Sequence, residues 1–158
     1  MTDNAPTAVS PSMNIEKLYV KDISFESPQS PQVFGVEQKP EVGVHLGIGH
    51  TGLDAEQGLY EVTLSVTATA TNGDATIFLA EVKQAGIFRI GGVPQEQMAL
   101  VLEIGCPSVL LPFVREAINE LVTRGGFPPL LINPINFEAL FQEKLARAQA
   151  AQQGATTH

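Results

Sequence analysis

The sequence predicts an α+β fold, a four-stranded antiparallel meander sheet with two C-terminal helical segments packed on one face. Three observations predict it. Up to about residue 90 the apolar residues alternate with polar ones, beyond Gly91-Gly92 they recur every three or four residues, and the alternating stretches are joined by short links rather than by helices.

In "LYVKDISFE" (residues 18–26) Tyr19, Ile23 and Phe25 share one parity and Asp22, Ser24 and Glu26 the other, as a strand with one wet face requires. The following "SPQSP" breaks it, because each proline removes a donor and pushes its predecessor out of helix. Val42, Val44, Leu46 and Ile48 alternate in a second strand. In the third, Tyr60, Val62, Leu64, Val66, Ala68 and Ala70 face one side and Glu61, Thr63, Ser65, Thr67 and Thr69 the other. Asn72-Gly73-Asp74 tolerates positive φ and turns the chain back into a fourth strand with Phe78, Ala80, Val82, Phe88 and Ile90 in phase.

Past the double glycine, Leu110, Phe113, Val114, Ala117, Ile118, Leu121 and Val122 form a wide helical stripe. Pro107 suits a first helical turn, Pro112 predicts a kink or restart, and Gly125-Gly126 suits a C-cap. Asn136 can cap a short helix whose Phe137, Leu140, Phe141 and Leu145 line one face. Residues 1–14 and 148–158 are small and polar and read as disordered tails around one domain, residues 15–147.

Composition narrows the function. The 158 residues suffice for one core. Charged residues make up only 16%, below the usual quarter or so for soluble domains, which suggests that other copies of the chain or an apolar partner cover part of the surface. The formal net charge of −8 and pI near 4.7 repel phosphate, so nucleic acid is not expected as a partner, whereas a basic or unfolded polypeptide is welcome. "MTDNAPTAVSPSMN" lacks the marks of a signal peptide, and no window approaches the roughly 18 apolar residues of a membrane span. The expectation is a cytoplasmic protein that does not insert into membranes.

Several chemical signals fail. Gly47-Ile48-Gly49-His50-Thr51-Gly52 matches a dinucleotide fingerprint, but no helix follows to receive a pyrophosphate, so it reads as a loop between strands. His45 and His50 have opposite parity, His158 is terminal, and no second cysteine or acidic cluster completes a metal site; the two strand histidines read as solvated. Cys106 reads as a buried small hydrophobe. Neither an enzyme nor a cofactor or metal is expected.

Two features survive. Asp22, Glu26, Leu79 and Glu81 fall on the polar parity of strands one and four, either an ordinary wet face or a docking patch for a basic partner. "GGFPPLLINPINFEALFQEKL" (125–145) and "PQVFGV" (31–36) combine prolines and glycines with large apolar residues, so they either cap the domain edge or form rigid walls of an open groove for extended apolar segments.

"YVKDISFESPQSPQVF", "YEVTLSVTATA", "FLAEVKQAGIF", "CPSVLLPFVREAINELVTRGGFPPL" and "INPINFEALF", in this order and over about 130 residues, resemble the SecB protein-export chaperone family. The resemblance implies an ATP-independent holdase, a homotetramer built as a dimer of dimers, which binds unfolded precursor proteins and hands them to the SecA translocation ATPase. It implies SecA docking at Asp22, Glu26, Leu79 and Glu81, and a client groove lined by Val33, Phe34, Phe127, Leu130, Ile132, Phe137, Leu140 and Phe141. The inward parity of strand four, Ala80, Val82 and Gln84, is expected to pack toward the helices and the oligomer interface. Familiar members carry a tryptophan where this chain has Gln38, and the chain has no tryptophan at all, which bears on groove shape and client preference. The alternatives are a SecB-like antitoxin chaperone with one dedicated client and a small-molecule-binding or enzymatic α+β domain.

Overall fold

The computed structural model describes residues 9–37 and 39–155, so Gln38, His158 and the outermost parts of both expected tails lie outside the described residues. The α+β expectation holds, with one four-stranded antiparallel sheet and two helices: β1 (Ser12–Glu26), β2 (Glu41–Asp54), β3 (Leu59–Asn72) and β4 (Ala75–Gly91), then a long helix (Gln95–Arg124) and a C-terminal helix (Phe137–Ala155). The elements outrun the domain limits read from sequence. β1 opens at Ser12, three residues before Ile15, and the C-terminal helix continues past Arg147 through an Ala- and Gln-rich segment with high helix propensity.

The sheet is not a simple meander. Its order is β1-β4-β3-β2, so β2, β3 and β4 form consecutive hairpins while β1 pairs with β4 at the far edge, the connectivity of a Greek key. The proline-rich link 27–40 spans the width of the sheet and carries one 3-10 turn, Gln32–Gly35, whose Val33 is buried. Gly73, at φ +61°, makes the β3–β4 turn as its neighbours predict. The candidate fingerprint 47–52 is not a loop: it continues β2, where Ile48 pairs with Leu64 and His50 with Val62.

A bulge between Val20 and Asp22 corrects the parity of β1. Lys21 is the extra residue, so Tyr19 lies opposite Ala85 on the outer face with Asp22, while Ile23 and Phe25 lie opposite Val82 and Ala80 on the inner face. Tyr19 reaches across β4, over the fully buried Ala85, and its hydroxyl donates to Glu61 of β3. Lys21 completes the cluster, its Nζ 2.9 Å from Glu61 Oε1. Burial, followed by the hydrogen bond and charge of Glu61, pushes the Tyr19 phenol up to about 12. Hydrogen bonds from Tyr19 and Lys21 hold the Glu61 carboxyl below its ordinary value.

The long helix packs its buried stripe, Leu110, Val114, Ile118 and Val122, against the inner faces of β3 and β4, where Val62, Leu64, Val66, Ala68, Ala80, Val82 and Phe88 are buried. Phe113 leaves the stripe and is 41% exposed. Pro107 does lie in the first turn of the α-helical stretch Cys106–Arg124, but that stretch continues a helix already begun at Gln95. It follows a π turn, Val101–Gly105, in which the Cys106 N–H bonds the carbonyl five residues back, and Ser108 Oγ donates to the Ile104 carbonyl at 2.6 Å. Pro112 sits inside α-helix that runs without a break from Cys106 to Arg124. The helix also corrects the hydropathy reading: by length and composition it could cross a membrane. Part of that apolarity is the stripe against the sheet.

The Tyr19–Glu61 bond gives a stability prediction. Tyr19→Phe should lower unfolding free energy by about 1–2 kcal/mol near neutral pH in urea melts. Glu61, with its lowered folded value, contributes stability present above the ordinary carboxylate range and lost as pH falls through the folded value. The difference between the wild type and Tyr19→Phe should therefore shrink in acid. Tyr19, with its raised value, contributes below the ordinary phenol range and loses that contribution as pH rises through about 12.

Candidate functional site

The double glycine is where the long helix ends and the apolar segment begins. Gly125 N–H bonds the Leu121 carbonyl at 2.9 Å, Gly126 N–H that of Thr123 at 3.0 Å, and Phe127 N–H that of Val122 at 3.2 Å, closing the helix with Gly126 at φ +90°. The missing side chains also make room for rings. A Cβ on Gly125 would lie 2.3 Å from Phe25 Cζ, and one on Gly126 would lie 3.0 Å from the Phe34 ring. Phe127 then gathers Phe78, Phe34 and Phe25 around it, with centroids at 5.1, 5.4 and 6.4 Å.

From Pro128 to Asn136 the chain forms neither helix nor strand. Arg115 of the long helix holds it, Nε donating to the Ile132 carbonyl at 3.0 Å. Asn136 ends it by capping the C-terminal helix, its Oδ1 accepting from Ala139 N–H at 3.0 Å, as its position predicts.

This crossover runs beside β2, and three cavities lie along the pair. The first, about 380 Å³, lies among Val33, Phe34, Val42, Phe78, Phe127 and Leu130. The second, about 400 Å³, lies between Val42, Val44 and Leu46 on one side and residues 130–135 on the other. The third, about 150 Å³, is bounded by Leu46, Ile48, Leu140 and Phe141, with Glu103 and Lys144 at its wall. Val42 and Leu130 border both the first and second, and Leu46 both the second and third, so the three form one apolar track along β2.

The sequence-derived groove residues divide accordingly. Val33, Phe34, Phe127 and Leu130 meet at the first cavity, Leu130 and Ile132 at the second, and Leu140 and Phe141 at the third. Phe137 is a correction: only 3% exposed, directly after the cap, it belongs to the core and not to the groove wall. The floor was missed. Val42 and Val44, 43% and 40% exposed, alternate like any half-buried strand, and nothing in that pattern says that β2 is an edge.

On the outer face the four candidate acidic-patch residues do come together. Glu26 lies opposite Leu79, Ser24 opposite Glu81 and Asp22 opposite Lys83, all on one side of the sheet. Glu81 accepts from the Ser24 and Thr67 hydroxyls at 3.4 and 3.3 Å. Elsewhere on this face Glu16 pairs with Arg89 and Glu61 with Lys21. Among the described residues Asp22, Glu26 and Glu81 form no ion pair, so the uncompensated carboxylates gather at one end. Lys83, which stands opposite Asp22 in register but forms no ion pair with it, was missed.

Ala80, Val82 and Gln84 require a second correction. At 0%, 1% and 5% exposed they are already enclosed by the chain's own fold, and no partner can touch them directly. The uncovered apolar surface lies next to them on β1, where Met13, Ile15, Val20 and Ile23 are 38–48% exposed. A cavity of about 510 Å³ adjoins it between Ser12 and Met13 and the Leu100–Gly105 turn. Cys106 is buried there, its Sγ 3.6 Å from Met13 Sδ, and burial pushes its thiol up to about 12. His50 is not simply solvated: its Nε2 lies 3.3 Å from Glu103 Oε1. Among the described residues no group of three or more His, Cys, Asp or Glu is arranged to hold a metal.

Comparison with known proteins matches residues 6–148 to the family described as preprotein translocase subunit SecB. The protein-export protein SecB of Methylobacillus flagellatus is 48% identical over 148 residues, covering 94% of this chain and 92% of that protein. That of Thiobacillus denitrificans is 46% identical, covering 96% and 98%. Among solved structures, the Mycobacterium tuberculosis Rv1957 SecB-like chaperone in complex with a ChAD peptide from the Rv1956 HigA1 antitoxin superposes with a TM-score of 0.63 at 17% identity, over 78% of this chain and 88% of that one, and shares the fold.

The corner at Gly125 should be intolerant. Gly125→Ala places a methyl into the Phe25 ring and should cost about 1–3 kcal/mol in chemical denaturation, while weakening binding of a reporter peptide by displacing Phe127. Unchanged stability and unchanged peptide binding would show that the rings move aside freely.

Proposed function

The chain belongs to the SecB protein-export chaperone family, and on that premise we propose that it is an ATP-independent cytoplasmic holdase that binds unfolded precursors, keeps them competent for translocation and passes them to SecA. It acts by binding alone, without catalysis, metal or cofactor. The observation that carries the reading is the continuous apolar track along β2, open to water and walled by the proline-braced crossover.

A client changes sequence from one encounter to the next, so the groove must rely on many weak apolar contacts. At roughly 25 cal/mol per Å² of apolar area, a few buried client side chains give modest affinity in one groove. A tetramer repeats the groove and links the events by effective concentration, raising avidity by roughly 10² to 10⁴. It would also carry four times the formal charge of −8, which keeps particles with exposed apolar grooves from associating with one another. The uncovered inner face of β1 is the surface a second copy would close. The outer acidic end, with Asp22, Glu26 and Glu81 uncompensated and Leu79 beside them, suits a basic docking element of SecA.

The deciding experiment is direct: the purified protein, without ATP, should delay refolding of an unfolded precursor and suppress its aggregation, and no effect at stoichiometric amounts would refute the holdase reading. A broad client range would separate it from a chaperone dedicated to one antitoxin.

Two substitutions test the surfaces separately. Glu81→Lys should lower SecA affinity by tenfold or more while leaving aggregation suppression intact, and retained SecA binding would remove the docking assignment alone. Ile23→Arg, at an exposed position where the monomer fold tolerates charge, should shift sedimentation from tetramer to smaller species; an intact tetramer would place the interface elsewhere.

A further inference from the structure

The third cavity contains a charge that an apolar groove does not need. Glu103 is carried inward by the π turn of the long helix, and its side chain is only 9% exposed. Two nitrogens meet its Oε1: the Lys144 ammonium Nζ of the C-terminal helix at 2.9 Å and His50 Nε2 of β2 at 3.3 Å. Lys144 is itself 63% exposed, so it reaches down from the surface by its flexible stem.

We propose that Glu103 is a cation-recognition point at the far end of the client groove, occupied by Lys144 of the same chain until a lysine or arginine of a client displaces it. This rests on the reading of the track along β2 as the client groove. A carboxylate this buried is costly to leave unpaired. A client ammonium or guanidinium can take the place of Lys144 with no interval in which Glu103 is bare, and the released Lys144 returns to water at little cost. A neutral client side chain that displaced Lys144 would strip Glu103 of its lysine, and an acidic one would bring like charges together where screening is weak. The end of the groove therefore ranks client side chains as basic over neutral over acidic.

The position along the client is specified as well. The apolar anchor at Val42 and the charged end at Ile48 are six residues apart on one strand, roughly 20 Å at about 3.3 Å per residue. An extended client with an aromatic residue in the first cavity would present its basic residue about six positions away.

The test uses the full chain and labelled peptides read by fluorescence anisotropy. Each peptide carries one phenylalanine anchor and, six positions on, Lys, Gln or Glu; a fourth has the Gln there and the lysine moved beside the anchor. The wild type should bind the first peptide roughly 5- to 20-fold more tightly than the Gln peptide and the Glu peptide least tightly. Moving the lysine should remove most of the gain. Glu103→Gln should abolish the Lys-over-Gln ratio, and Lys144→Ala, which removes the competing ammonium and leaves the Glu103 carboxylate in place, should tighten the Lys peptide several-fold. Equal wild-type affinity for Lys and Gln peptides, a gain that follows net charge regardless of position, or an unchanged ratio in Glu103→Gln would overturn the proposal and leave the groove reading intact. If no peptide bound at all, the groove reading would fall with it.

Discussion

A single helix cannot cover a four-stranded sheet. Four strands at about 4.8 Å spacing present a face nearly twice as wide as a helix of about 10 Å diameter. The long helix settles over β3 and β4, and the burial pattern records the consequence: inner-face residues there are sealed, while those of the two outer strands are not. Ile15, Val20 and Ile23 on β1, and Val42 and Val44 on β2, remain 40–48% exposed although each belongs to the apolar parity of its strand. The fold therefore carries two apolar margins, and the two need different covers. Among the described residues the β1 margin stays uncovered, which suits a permanent partner. The β2 margin is roofed at a distance by the crossover, which suits a transient one.

The sequence made the elements legible because their signals are local. Alternation, the Asn72-Gly73 turn, the Asn136 cap and the Gly125-Gly126 stop each depend on residues within a few positions of one another. What it left illegible was non-local. That β1 pairs with β4 rather than β2 is decided by a link with no preferred neighbour, and with it went the knowledge that β2 is an edge and its valines a groove floor. The Lys21 bulge reversed Tyr19 because one inserted residue moves the side chains before it to the other face, until a second bulge between Ile15 and Lys17 restores the parity. The acidic patch survived that error, since Asp22, Glu26, Leu79 and Glu81 all lie on the far side of the bulge. Glu103 escaped notice for a related reason: in a regular helix its position carries no special meaning, and only the π turn aims it at β2 and the C-terminal helix.

Charge and apolarity are kept on opposite sides of the sheet. Among the described residues, the outer face bears Asp22, Glu26 and Glu81 without ionic partners, while Glu16 pairs with Arg89 and Glu61 with Lys21 beside the Tyr19 hydroxyl. The inner face and its margins are almost wholly apolar, with Glu103 as the exception and that exception paired. Separation of this kind lets a strongly negative chain keep apolar surface open to water: the carboxylates keep their hydration, and the groove is spared the desolvation of charges it would otherwise bury.

The remaining question is why the crossover does not simply close the groove it borders. β2 offers a free edge, and an apolar segment running alongside would ordinarily hydrogen-bond to it as a fifth strand, filling the space with its own side chains. Pro128, Pro129 and Pro134 have no N–H to give such a ladder, and residues before a proline are confined to extended conformations that cannot coil into a helix instead. The segment therefore adds no strand to the sheet and is pinned at one end by the Phe127 cluster, in the middle by Arg115 on the Ile132 carbonyl and at the other end by the Asn136 cap. Those three attachments fix the wall at a distance from β2 that leaves cavities of about 380 and 400 Å³. Apolar residues that would collapse if the backbone were free to pair are thus kept apart by a backbone that cannot, and the open groove follows from where donors are missing as much as from where greasy side chains are present.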